Sequence, residues 1–213
     1  MKTQDLIALL ATHAAPVEPN AAARRYGLAL GLGTSGAVLM LLVQFGVRAD
    51  IAEAVLLPMF WIKLASVACI ATAGLHAAAR LSRPGARIGL VPVVLAAPLL
   101  ILWGIAAWTL AGAGASERAE LVLGKTWYEA PFDIAILSIP ALVAAFWAMT
   151  GFAPTRLSLS GGAAGLFAGG IGALAYSFHC TEMAAPFVAI WYFAGVLLPV
   201  AAGAALGPIL LRW

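Results

Sequence analysis

Charge is scarce in this chain. Only 10% of its 213 residues are Asp, Glu, Lys or Arg, against roughly 25% in a water-soluble domain, and that deficit excludes a soluble enzyme, a disordered tail or a collagen-like rod. Cysteine is nearly absent too. Cys69 is predicted mid-helix and Cys180 near an outer surface, so their depths differ and a disulfide between them is not expected. The chain has no Cys-x-x-Cys, no Gly-rich phosphate loop, no His-x-x-x-His or Glu-x-x-His metal pattern and no Ser/His/Asp set. No catalytic constellation is therefore on the page, and the expectation is a protein that is not an enzyme and carries no resident cofactor. A formal charge of +3, scattered along the chain, does not make a nucleic-acid surface either.

What is present is apolar surface: 63% hydrophobic residues and a mean hydropathy of +1.00. The charges cluster, and the gaps between clusters predict six crossings near residues 26–47, 59–79, 88–112, 134–152, 161–178 and 183–211. Each has about the 20 residues that a bilayer core of roughly 30 Å requires, and in lipid only helix satisfies the backbone within a single segment. The fold class is thus all-α, a polytopic membrane protein of six transmembrane helices. Pro92, Pro98, Pro140 and Pro199 fall inside the stretches and predict kinks rather than breaks. Lys2, Arg24, Arg25, Arg80, Arg83, Arg87, Arg156 and Arg212 fall in alternate loops on one side, which by the positive-inside rule makes both termini cytoplasmic. Leu6–Ala11 is too short for a signal-peptide core, so the first crossing is expected to act as the insertion signal.

Two parts follow: an N-terminal segment, 1–25, and the transmembrane domain, 26–213. In the first, Thr3 suits an N-cap, and Leu6, Leu9, Leu10 and His13 share one helical face that Ile7 and Ala11 widen. Two readings stay open. The face lies on the inner leaflet of the bilayer, or it docks into a groove on a soluble partner. Lys2 is the one basic residue before position 20, and the lack of a basic flank favours a protein partner.

Within the membrane part, Gly161, Gly165 and Gly169 recur every fourth residue, as do Gly27 with Gly31 and Gly203 with Gly207. This spacing predicts close helix contact, chiefly within the monomer, with a homo-oligomer through these glycine-rich helices as the alternative. His179, Cys180 and Glu182 gather where the fifth crossing meets the outer surface. They could hold a soft metal ion, present a redox-sensitive thiol, or pack at a helix end. Lys63 is expected to snorkel to the outer headgroups or to pair with Glu182, Asp133 or Glu129. Trp127 and Tyr128 read as interfacial aromatics.

Several local patterns then coincide: Met1-Lys2-Thr3-x-x-Leu6-Ile7, Pro16-Val17, Pro58 with Phe60 and Lys63, Ala153-Pro154-Thr155, the glycine run 161–172, Tyr176-x-x-His179-Cys180-x-Glu182, Trp191-Tyr192 and the ending Leu210-Leu211-Arg212-Trp213. In this order the chain resembles the NrsF family, negative regulators of sigma F. The resemblance implies a six-span anti-sigma factor in the bacterial inner membrane whose cytoplasmic N-terminus sequesters an extracytoplasmic-function (ECF) sigma factor. It implies that Lys2, Thr3, Leu6 and Ile7, and with them Leu9 and Leu10 of the same face, mark the partner-binding segment. It also implies that His179, Cys180 and Glu182 mark a sensing side, responsive to a metal or an oxidant, with any metal ion a transient signal. Members carry a cysteine soon after the tryptophan of the loop between the third and fourth crossings, where this chain has Trp127-Tyr128-Glu129-Ala130; Cys180 would then act alone or with a metal. The rival expectations are a small transporter or channel for an ion or metal, with Lys63, His179 and Glu182 along its path, and a membrane thiol enzyme.

Overall fold

The computed structural model describes residues 3–4, 20–85 and 89–212. These residues are helical apart from short connections, and no strand occurs among them. Helix α1 runs from Ala21 to Phe45, its last turn widened to π geometry and ended by Gly46 at φ +75°. A four-residue helix, α2 (Ile51–Ala54), leads to α3 (Pro58–Leu81), which opens on a proline where a missing N–H is harmless. Helix α4 is Val91–Gly112, and α5 (Ala115–Leu123) lies in the connection that follows it. Then come α6 (Ala130–Leu137), α7 (Ile139–Met149), α8 (Leu157–Tyr176) and α9 (Ala185–Leu210).

Five of these helices are long and apolar enough to cross a bilayer, and α6 with α7 supplies a sixth if the bent pair is one span. The bend is 41°. Its cause is local: Pro140 has no N–H for the carbonyl of Ile136, and the Ser138 hydroxyl donates to the Ile134 carbonyl at 2.6 Å just before it. The kink expected at Pro140 is therefore present, sharp enough to divide the element in two.

Helix α8 is the hub. A Cβ on Gly161 would run into the Gly203 carbonyl of α9, and one on Gly203 into the Gly161 carbonyl. Gly165 faces Pro199 and Gly207 faces Leu157 in the same way. On its other sides, Gly170 meets Ala71 of α3, and Gly172 meets the Ile134 carbonyl and Ser138 of the bent pair. In lipid, where tails are as apolar as leucine, such backbone-to-backbone approach replaces the hydrophobic effect as the driving force. The α8 and α9 glycines are thus occupied within the chain, as expected. Gly27 and Gly31 of α1 have nothing within 4 Å.

The two ends of the bundle differ in charge. Tyr26 Oη donates to the Ala78 carbonyl at 3.1 Å, Ser160 Oγ to the Leu81 carbonyl at 3.3 Å, and the Arg25 guanidinium lies 5.8 Å from the centre of the Phe152 ring. These contacts bring the start of α1, the end of α3, the end of α7 and the start of α8 together. Arg24, Arg25, Arg80, Arg83, Arg156 and Arg212 belong to this end, and no Asp or Glu does among the described residues. Every described acid lies toward the opposite end.

Candidate functional site

At the acidic end, residues 177–184 connect α8 to α9 without regular structure beyond a turn. The last carbonyls of a helix have no partner of their own, and this connection adds further ones. Two cations from distant parts of the chain satisfy them. Arg48, just beyond α1, donates through Nη1 to the Cys180 carbonyl at 3.0 Å, while its backbone N–H bonds the Phe178 carbonyl at 3.0 Å. Lys63, one turn into α3, donates from Nζ to the carbonyls of Cys180 (3.3 Å) and Glu182 (3.2 Å), with its ammonium 5.2 Å from the centre of the Tyr192 ring.

Lys63 is 0% exposed. The snorkelling expected of it is corrected here, and so is a pairing with the carboxylates of Glu182, Asp133 or Glu129. Its bonds go to main-chain oxygens, because the 177–184 connection folds over the start of α3 and covers the ammonium before it can reach the surface. Burying a charge requires such partners. Arg48 in turn forms a two-pronged pair with Asp50, Nε to Oδ1 at 2.7 Å and Nη2 to Oδ2 at 2.6 Å. This pairing holds the Asp50 carboxyl below the usual carboxylate range and raises the Arg48 guanidinium further.

The three expected sensing residues have separate roles in this frame. His179 Nδ1 bonds the Gly46 carbonyl at 3.0 Å, and its ring packs edge-on against Phe45. The Glu182 carboxylate accepts the backbone N–H of Lys125 at 2.8 Å, tying the 177–184 connection to the end of α5. Cys180 is a free thiol, 3% exposed. Among the described residues, no group of three His, Cys, Asp or Glu side chains is arranged to hold a metal ion. Trp191 adds a second tie to α5, donating Nε1 to the Val122 carbonyl at 2.8 Å, with the Trp127 ring tilted against it at 5.3 Å between ring centres.

Of the expected partner-binding residues, Thr3 is helical and exposed. Lys2, Leu6, Ile7, Leu9 and Leu10 lie outside the described residues. Sequence reasoning missed Arg48 and Asp50. The available signal was an Arg-x-Asp step directly after the glycine that ends the first crossing.

The 177–184 turn is thus held at its main-chain carbonyls by Arg48 and Lys63, and through the side chains of His179 and Glu182. Comparison with known proteins says what such a molecule is. A family model described as "Negative regulator of sigma F" (NrsF) matches residues 10–213. The chain belongs to the NrsF family. It is 49% identical over its full length, and the full length of the relative, to the "Probable anti-sigma-F factor NrsF" of Azospira oryzae. It is 38% identical, again across both whole chains, to the "Anti-sigma-F factor NrsF" of Caulobacter vibrioides. No solved structure matches, so the hub-and-clamp arrangement stands here for an NrsF protein on its own geometry.

Proposed function

We propose that this NrsF protein is a membrane-bound anti-sigma factor, and that it sequesters an ECF sigma factor through its cytoplasmic N-terminal segment. A metal or oxidant signal, received on the periplasmic side around Cys180, His179 and Glu182, releases the sigma factor. The observation that carries this reading is the full-length identity to two relatives named as anti-sigma-F factors. The helical periodicity of Leu6, Leu9 and Leu10 supports the N-terminal segment as the gripping part. The clamped Cys180 turn supports a sensor whose thiol reacts once the turn loosens. The membrane in question is the bacterial inner membrane, and regulation, not catalysis, is the activity.

The test uses full-length protein in cells carrying a reporter for the cognate sigma factor. Leu6→Asp combined with Leu9→Asp raises basal reporter output to the level of a deletion strain, with membrane abundance of the protein unchanged. Cys180→Ser keeps basal repression and blunts induction by an oxidant or heavy metal. Unchanged basal output with the double variant overturns the docking face, and unaltered induction with Cys180→Ser removes the thiol from the signal.

A further inference from the structure

The basic end of the bundle holds a feature that the anti-sigma reading does not use. Between α3 and α4 lies a cavity of about 450 Å³, walled by His76 and Arg80 of α3, Gly89 and Leu90 ahead of α4, and Val91 and Val94 within it. Helix α4 is loosely attached: Val91, Leu102 and Ala106 are its buried residues. Leu90 is 75% exposed and Val94 46%, so the seam opens sideways at the depth of the lipid.

The polar part of the cavity is built rather than incidental. Arg80 Nε donates to His76 Nε2 at 3.0 Å. With that nitrogen accepting, the neutral ring carries its proton on Nδ1, so the pair presents donors only. Gly89 adopts φ +65°, and the Arg80 guanidinium lies directly against it, since a Cβ there would come within 2.5 Å of Nη1. Arg83 follows one turn later, and no carboxylate is present at this end among the described residues.

We propose that this seam binds an anionic phospholipid, with Arg80 and His76 taking the phosphate and Leu90, Val91 and Val94 covering the start of an acyl chain. A guanidinium matches phosphate oxygens with short, charge-assisted bonds. Basic pockets between helices at the cytoplasmic side recognise lipid headgroups in this manner. The apolar walls select a lipid over a free anion, because inorganic phosphate leaves Leu90 and Val94 uncovered. A zwitterionic headgroup brings its own ammonium into a field of arginines and is disfavoured.

Native mass spectrometry of the full-length protein in a non-ionic detergent tests this, with dioleoylphosphatidylglycerol and dioleoylphosphatidylcholine as probes. Lipid adducts are counted on the protein alone, so the outcome is independent of sigma-factor binding. Phosphatidylglycerol adducts exceed phosphatidylcholine adducts, and Arg80→Gln lowers them roughly five-fold, the equivalent of the ~1 kcal/mol that one basic side chain contributes near a lipid surface. Arg156→Gln, at the same end but off the seam, retains wild-type adducts. Val94→Trp fills the cavity at an exposed position without touching charge and lowers adducts of phosphatidylglycerol, so it carries the test if Arg80→Gln fails to fold. Wild-type adducts in the folded Arg80 variant or in Val94→Trp overturn the proposal. So does equal loss in the Arg80 and Arg156 variants, which would mean diffuse attraction, or displacement of the lipid by inorganic phosphate alone.

Discussion

Lys63 directs a full charge at two main-chain oxygens that lie 117 and 119 residues further along the chain. Nothing near it in the sequence announces those partners. A lysine close to a predicted helix end reads as a headgroup anchor, and only the fold of residues 177–184 over α3 makes it an interior clamp. The bonds of Arg48 to the Cys180 and Phe178 carbonyls were equally unreadable, being tertiary too, and only its pairing with Asp50 had a local signal. By contrast, the His179-Cys180-x-Glu182 cluster was readable as a locality, though not as three side chains with three different partners. Replacing Lys63 by Met leaves the Glu182 carbonyl without its donor and the Cys180 carbonyl with Arg48 alone, a loss of about 1–3 kcal/mol. It appears as a lower Tm of the purified full-length protein, while Lys125→Met, whose residue bonds Glu182 through its backbone N–H, leaves Tm in place. The Asp50 carboxyl, held low by Arg48, gives an acid-side signature. A depressed carboxylate contributes stability that is complete above the unfolded value near about 4 and is lost as pH falls through the lower folded value. Tm measured against pH should therefore show an acid limb that begins near the ordinary carboxylate value and extends below it, and Asp50→Asn should remove Asp50's share of it.

At the level of elements, the glycine spacing did announce close contact, and the structure distributes it unevenly. The α8 and α9 glycines meet backbone, so a side chain there must push two helices apart; Gly27 faces open space. Gly161→Leu is expected to cost about 3 kcal/mol or more, at the upper end of overpacking, and to collapse thermal stability in detergent. Gly27→Ala is expected to shift stability by less than about 0.5 kcal/mol, as open surface positions do. A similar loss in both would mean that the α8–α9 contact is not the tight one. Helix α5 escaped the sequence reading because nine residues between Gly112-Ala113-Gly114 and Gly124 look like loop. It forms because the Glu117 carboxylate caps its start, accepting the Gly114 N–H at 3.2 Å.

For the molecule as a whole, the map of charge gaps was enough to find the long apolar helices, since an uncharged stretch of bilayer length has few alternatives to helix. Finding the centre was not possible that way: hydropathy ranks α8 no higher than its neighbours, and only its small residues, set against three other elements, make it the hub. The separation of a purely basic end from an end holding every described acid gives a topology prediction. Alkaline phosphatase inserted at Glu120, between α4 and α6, is active, and inserted after Arg83 it is inactive. The opposite pattern would invert the molecule and with it the assignment of the Cys180 turn to the periplasm.

The position of the hub along the chain has its own consequence for biogenesis. Helices α1, α3 and the bent pair are all made before α8 leaves the ribosome, yet each leans on it in the finished bundle. Until then the faces they turn toward α8 wait bare, although α1 can already pack on the bent pair, where Gly33 meets Ala141 and Gly36 meets Pro140. A chain cut short ahead of residue 157 would stay in that waiting condition, which makes the arrival of one glycine-rich segment the moment at which the translation product becomes a protein.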